Sequence, residues 1–270
     1  MLGAIAAKTD RIGLATGVTC PTVRYLPAII AQAAATLSVV SAGRVTLGIG
    51  AGERLNEHVV GRGFPDARVR HEMLREAVEI RLLWRGYRSY EGRHLQLSDA
   101  RVFDLPDELP VIAIAASGEA SARVAAELGD GLFATEPKKE IIARYGGVGG
   151  DGPRYAEVPM AWAPDEHTAV AVALETSRWA VTWWKVMSEL PNPVNFAAAS
   201  AIVREDDIRG QFACGPDVSR YVEVAQQFVD AGFDHLVMQN AGPDPDGFID
   251  FFQRELEPTI CQLVPQGAAA

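Results

Sequence analysis

The sequence predicts a parallel α/β fold of the (β/α)8 TIM-type barrel class, entered part-way round its circuit. Three observations carry this. Short apolar runs without polar alternation recur along the chain, as in strands buried on both faces. Helical stretches lie between them, giving the alternation of a parallel sheet under helices. The loops that follow the runs are small, glycine-containing and polar, and this is where such a barrel keeps its chemistry. A barrel of this class needs ~250 residues, so the 270 residues present permit one domain.

The elements follow in order. Met1–Asp10 reads as the last turns of a helix, so one or two strand–helix units are expected to be missing ahead of it, leaving about six visible by the alternation rule. Ile12–Thr16, Val45–Ile49 and Val111–Ala115 read as doubly buried strands, and Gly131–Thr135, Val158–Ala163 and His235–Gln239 as three more. Pro27–Ser41 opens with the residue favoured at a first helical position. Ala67–Trp84 and Gly118–Leu128 are further helices. Val218–Ala231 is amphipathic and ends at Gly232, a natural C-cap. Gly86–Leu109 is polar and aromatic, with turn signals at Glu91-Gly92 and Pro106-Asp107, and predicts a small hairpin-like excursion. Residues 168–212 read as a helical insertion over one end of the barrel, with Trp179, Trp183 and Trp184 as its core. The barrel domain is thus expected over residues 1–265, with a disordered tail at 266–270.

Composition narrows the function classes. Thirty-five acidic residues against 25 basic ones give a net charge of −10. That disfavours nucleic-acid and anionic-membrane partners, which select basic surface. A soluble, cytoplasmic enzyme acting on a small molecule fits better. Three widely spaced cysteines, at positions 20, 214 and 261, predict neither a disulfide framework nor a zinc site. The histidines have no metal-ligand spacing, and His71-Glu72 lacks the second histidine of a zinc helix. No apolar run reaches the ~18 residues of a membrane helix, and no signal peptide is seen.

Four loops carry candidate chemistry. Gly17-Val-Thr-Cys-Pro-Thr22 follows the first strand. Gly50-Ala-Gly-Glu-Arg-Leu-Asn-Glu57 follows the second. Its glycines do not match a dinucleotide fingerprint. They suit instead a close approach of backbone to a flat ligand. Glu53 is expected at the strand end, where it reads either as a carboxylate favoured by a helix dipole or, with Asn56 on the same face, as a proton donor to a bound ring. Ser117-Gly118 opens a helix, so its amides suit a phosphate or simply a tight turn. Thr135-Glu-Pro-Lys138 offers a cation for an anionic substrate, or a solvated lysine.

Taken together, Thr16–Tyr25, Pro27–Gln32, Leu47–Glu57, Gly129-Asp-Gly131, Cys214-Gly-Pro-Asp217, Ala231–Val237 and Gly242-Pro-Asp244 resemble the luciferase-like monooxygenase superfamily. Within it they are most similar to coenzyme F420-dependent oxidoreductases related to the F420-dependent glucose-6-phosphate dehydrogenases. The resemblance implies a TIM barrel with a deazaflavin at the C-terminal ends of its strands, and often a non-prolyl cis peptide in the loop matching Gly17–Thr19. It implies that Val18 backs the ring and that Gly17, Cys20, Gly52 and Asn56 contact the cofactor. Glu53 matches the proton donor, Ser117 and Gly118 the phosphate-side loop, and Thr135 and Lys138 substrate-contacting positions. A further substrate-phosphate lysine of the sugar-phosphate enzymes has its best-aligned position at Gly210. The family's histidine base, on an upstream strand, has no match, and the expectation is a misassigned start or a true truncation. The unpaired edges this would leave lead to the expectation of poor solubility or a homodimer. The resemblance implies hydride transfer between F420 and a small alcohol-type substrate. The alternatives are an FMN-dependent monooxygenase of the same superfamily and a truncated remnant that only binds cofactor or a partner.

Overall fold

The computed structural model describes residues 1–266, in two compact units. The first comprises residues 1–133 with 144–152, and the second residues 134–143 with the chain from Pro153 onward.

The first unit opens with α1 (Leu2–Ala6), β1 (Leu14–Ala15), α2 (Pro27–Val40) and β2 (Val45–Ile49). A turn of helix, α3 (Arg54–Glu57), leads through a 3-10 turn to α4 (Ala67–Val78), which tightens into a 3-10 stretch over Glu79–Arg85. The antiparallel pair β3 (Arg88–Glu91) and β4 (Gln96–Ala100) follows as the expected excursion. Then come β5 (Val111–Ala115), α5 (Glu119–Leu128) and β6 (Gly131–Ala134). Strands β1, β2, β5 and β6 lie side by side, all parallel, with Leu14 opposite Val45, Gly48 opposite Ala113 and Ile114 opposite Leu132. Ile49, Ile112, Ile114 and Leu132 are fully buried. Strands of this kind show no polar alternation because both faces are covered.

The first strand is shorter than expected, and Ile12 is 56% exposed. The reason is Arg44. Its guanidinium donates to the carbonyls of Ala6, Thr9, Ile12 and Ser41 and to the Thr9 hydroxyl, which draws residues 6–12 against the end of α2 rather than along β2.

The second unit contains most of α6 (Lys139–Gly147), then β7 (Arg154–Ala161) and α7 (Glu166–Ser177). Short helices α8 (Trp184–Met187), α9 (Pro193–Ala199) and α10 (Glu205–Gln211) lead to β8 (Ala213–Cys214), α11 (Val218–Ala231), β9 (His235–Asn240), α12 (Pro245–Phe251) and α13 (Glu257–Ile260). Strand β7 pairs in parallel with β8 on one side and β9 on the other. Helix α11 ends at Gly232 in the left-handed conformation (φ 101°), as its position after the amphipathic run predicts.

The helical region differs from expectation in what it buries. Ala169, Val170 and Ala173 of α7 are buried with Ala161, Ala163, Ile208 and Phe212, and no tryptophan belongs to this cluster. Of the tryptophans, Trp183 is 66% and Trp179 39% exposed. In the tail, the Gln266 N–H donates to Asp230 (2.7 Å), and residues 267–270 lie outside those described.

Candidate active site

Parallel strands of an α/β barrel point their C-terminal ends at one face, and the loops there carry the chemistry. In the first unit two such loops meet. Beyond β1 the chain keeps contact with β2: the Thr19 N–H donates to the Gly48 carbonyl (2.8 Å), and the Gly50 N–H to the Thr19 carbonyl (3.0 Å). The peptide between Gly17 and Val18 is cis, as the resemblance implies. Val18 packs over β2 so closely that a Cβ on Gly50 would stand 2.8 Å from its Cγ2, and one on Gly48 1.9 Å from the Thr16 carbonyl oxygen. Glycines 48 and 50 therefore make room for the neighbouring loop. For Gly50, close packing of the Val18 loop is thus a reason for glycine beside the expected approach of a ligand. Gly52 adopts φ 84°, and a Cβ there would meet Glu57 Cγ at 2.8 Å.

Beyond β2, Glu53 is the N-cap of α3, half-buried and extended, with no side-chain bond to the helix amides. Its carboxyl instead accepts from the side-chain amide of Asn56. The shared face expected from their spacing is thus realised. Cys20 lies beside this turn, and burial, then the charges of Glu53 and Glu57, push its thiol up to about 12. This shift favours the neutral thiol over the thiolate.

Glu57 is a site residue that sequence reasoning passes over. It is fully buried. Its Oε2 accepts from the backbone of Val23 (3.1 Å) and Arg24 (2.9 Å) and from the Thr22 hydroxyl (3.5 Å). The signal available was its place four residues after Glu53, one helical turn on.

Ser117 and Gly118 stand at the start of α5. Their N–H groups both point at Ser121 Oγ (3.1 and 3.2 Å), which in turn donates to the Gly118 carbonyl. The tight-turn alternative accounts for these two amides. A Cβ on Gly118 would meet nothing within 4 Å, so the approach to this turn is open.

In the second unit, Thr135 and Lys138 follow β6. Lys138 is not a free cation: its ammonium pairs with Glu136 and lies 5.9 Å from the centre of the Trp183 ring. At the position aligned with the second phosphate lysine, Gly210 offers no side chain, and neighbouring Arg209 is engaged by Glu166, Glu205 and Asp206. Among the described residues, no group of three or more histidines, cysteines or acids is placed to hold a metal.

A sequence profile described as luciferase-like monooxygenase matches residues 1–235. The chain belongs to this family. Among curated luciferase-like relatives, an F420-dependent glucose-6-phosphate dehydrogenase of Microbacterium testaceum is 33% identical over 274 residues, covering 96% of this chain and 81% of the relative. Among solved structures, an F420-dependent secondary alcohol dehydrogenase in complex with an F420–acetone adduct superposes with a TM-score of 0.86 at 28% identity. The match covers 93% of this chain and 81% of that one. The coenzyme F420-dependent tetrahydromethanopterin reductase of Methanopyrus kandleri shares the fold, with a TM-score of 0.77 at 20% identity over 95% of this chain and 86% of that one. The barrel class read from the strand pattern is the fold of this luciferase-like group.

Proposed function

We propose that this luciferase-like chain is a coenzyme F420-dependent oxidoreductase that moves a hydride between the deazaflavin and a small, uncharged hydroxyl-bearing substrate. One observation carries the reading. The Glu53–Asn56 pair stands at the C-terminal end of β2, against the loop that holds the cis Gly17–Val18 peptide. The donor set suits a deazaflavin: a carboxyl to exchange a proton, an amide to orient it and donate to a ring oxygen, and the Val18 side chain as an apolar backing. When bound, F420 supplies two-electron hydride chemistry. Glu53 handles the proton that accompanies the hydride, and Asn56 holds the Glu53 carboxyl toward the ring. Ser117 and Gly118 bound the open side where the cofactor's phosphate chain would leave.

The substrate reading rests on the second unit. A phosphorylated sugar calls for unpaired cations, and Lys138 and Arg209 each already face carboxylates. Trp183 adds an aromatic ring beside Lys138. The secondary alcohol dehydrogenase among the similar structures supports the same class. The protein is read as cytoplasmic and homodimeric. Among the described residues no helix is long and apolar enough to cross a membrane.

The test is a fluorescence titration with F420, with FMN in parallel. Micromolar binding of F420 alone is expected. Binding of FMN alone, with oxygen uptake on reduction, would turn the reading to the FMN monooxygenase. Binding of neither would overturn it. With F420 bound, simple secondary alcohols should reduce the cofactor and glucose 6-phosphate should not.

A further inference from the structure

We infer that Glu57 is a positioning residue: its sealed carboxyl fastens the loop that carries Val18 and Cys20 to the turn that carries Glu53 and Asn56, and so fixes the two sides of the cradle against each other. What that cradle holds rests on the F420 reading above; the clamp itself rests on geometry alone.

The two segments have little else in common chemically. Residues 17–24 form an irregular loop, and residues 52–57 a single helical turn. An irregular loop holds one conformation only where its amides find fixed acceptors. Glu57 supplies them. Oε2 collects the Val23 and Arg24 N–H groups and the Thr22 hydroxyl. On its own side, the Glu57 N–H donates to the Glu53 carbonyl (3.2 Å), so the clamp is anchored in the very residue proposed to move the proton. From behind, the missing side chain of Gly52 makes the space that Glu57 occupies: a Cβ there would lie 2.8 Å from Cγ and 3.4 Å from Cδ of Glu57, and 3.5 Å from Cys20 Cβ. Gly52, Cys20 and Glu57 thus lie close together.

A second feature separates Glu57 from a plain folding anchor. Its Oε1 is buried and has no hydrogen-bond partner among the described residues. Burying a carboxyl with half its acceptor capacity unused is costly. A methionine would fill the space without that cost and would leave the loop amides unheld. The carboxyl thus serves the loop amides at a local cost in stability. Glu76 provides the contrast. It accepts three backbone N–H groups, from Arg93, His94 and Leu95 (2.8–2.9 Å), and ties the β3–β4 hairpin to α4. That is the same chemistry on an element that carries no site residue.

The experiment compares the wild-type chain with E57M, E57Q, G52A and E76A by two readouts. Hydrogen exchange with mass spectrometry follows the peptide covering residues 17–24 without any cofactor. F420 fluorescence gives Kd. E57M should speed exchange in 17–24 by about ten-fold or more and weaken F420 by a similar factor, the size expected when buried amides lose their acceptor. E57Q keeps an oxygen for Val23 and Arg24 and should return both readouts to within about three-fold of wild type. E76A should lower Tm and leave both unchanged. If E57M does not fold, G52A displaces Glu57 from the far side and should raise exchange in the same peptide. The clamp is overturned if E57M (or G52A in its place) leaves the 17–24 peptide as protected as wild type, if E76A alters that peptide equally, or if E57Q fails to restore it. A wild-type chain that binds no F420 would sink the functional reading, and the exchange data would still decide the clamp.

Discussion

Glu53 and Glu57 stand one helical turn apart and live in different worlds. The first is half-exposed with an amide for company; the second is sealed and holds a loop. Only the first can exchange a proton with something that arrives from solvent. Glu53→Gln should therefore lower kcat for F420 reduction by about 10²–10⁴-fold, with Kd for F420 little changed. Stopped-flow reduction on the F420-bound protein measures this; an unchanged kcat would remove Glu53 from the chemistry. Sequence reasoning finds Glu53 because a carboxylate at a strand end beside Asn56 has a recognisable chemical use. It misses Glu57 because glutamate is ordinarily a surface residue, and its acceptor role depends on Val23 and Arg24, more than 30 positions away. It likewise misses that Lys138 is answered by Glu136 two residues before it, since two neighbouring charges in a loop predict nothing about which way each side chain turns.

At the scale of elements, the longer strands are the most legible. Val45–Ile49 and Val111–Ala115 have the bounds their apolar runs predict, because burial of their middle residues on both faces leaves little polar alternation to blur them. Strand β8 has two residues and gives no pattern to read. Strand β1 is clipped by Arg44, whose bonds reach back across more than 30 residues. The tryptophan expectation fails for Trp179 and Trp183, which stay partly exposed while Ala161, Ala169, Val170 and Ala173 pack with Ile208 and Phe212; Trp184 is half-buried. Strand β7 also carries a titrating group. Burial raises the Glu157 carboxyl above its ordinary value of 4.5. The folded state holds this proton more tightly than the unfolded chain, so the contribution is intact below pH 4.5 and is lost as pH rises through the raised native value. Glu157→Gln should thus raise Tm near pH 8 and change it little near pH 4, as calorimetry at the two pH values would report. An equal shift at both would refute the burial account.

For the molecule as a whole, charge and its absence are the guide. Helix α2 runs from Pro27 to Val40 without a single charged residue, and Ile29 and Val40 are each more than half exposed. Together with Gly3 of α1 they line a shallow apolar groove of about 420 Å³. On a chain of net charge −10, an uncharged face of this kind is where two copies meet at least electrostatic cost. Sedimentation at micromolar concentration should find a dimer, and Ile29→Glu with Val40→Glu should shift it to monomer. A wild-type monomer at that concentration would end the homodimer reading. The barrel class is a whole-molecule property that the sequence reveals early, because repetition of strand and helix survives local errors; association is harder to read, since it depends on which apolar side chains the fold leaves outside.

The burial of Cys20 has a practical corollary that extends to the other two cysteines. Cys20 is held near 12 and Cys214 near 11, both chiefly by burial, while Cys261 is exposed beyond the last helix. Alkylation proceeds through the thiolate. A maleimide dye at neutral pH should accordingly mark Cys261 alone, as intact and peptide mass spectrometry would verify, with modification of Cys20 counting against it. The native chain thus carries its own attachment point for a single reporter, well away in sequence from Glu53, through which docking of a cofactor or of a second copy can be watched without engineering a new handle.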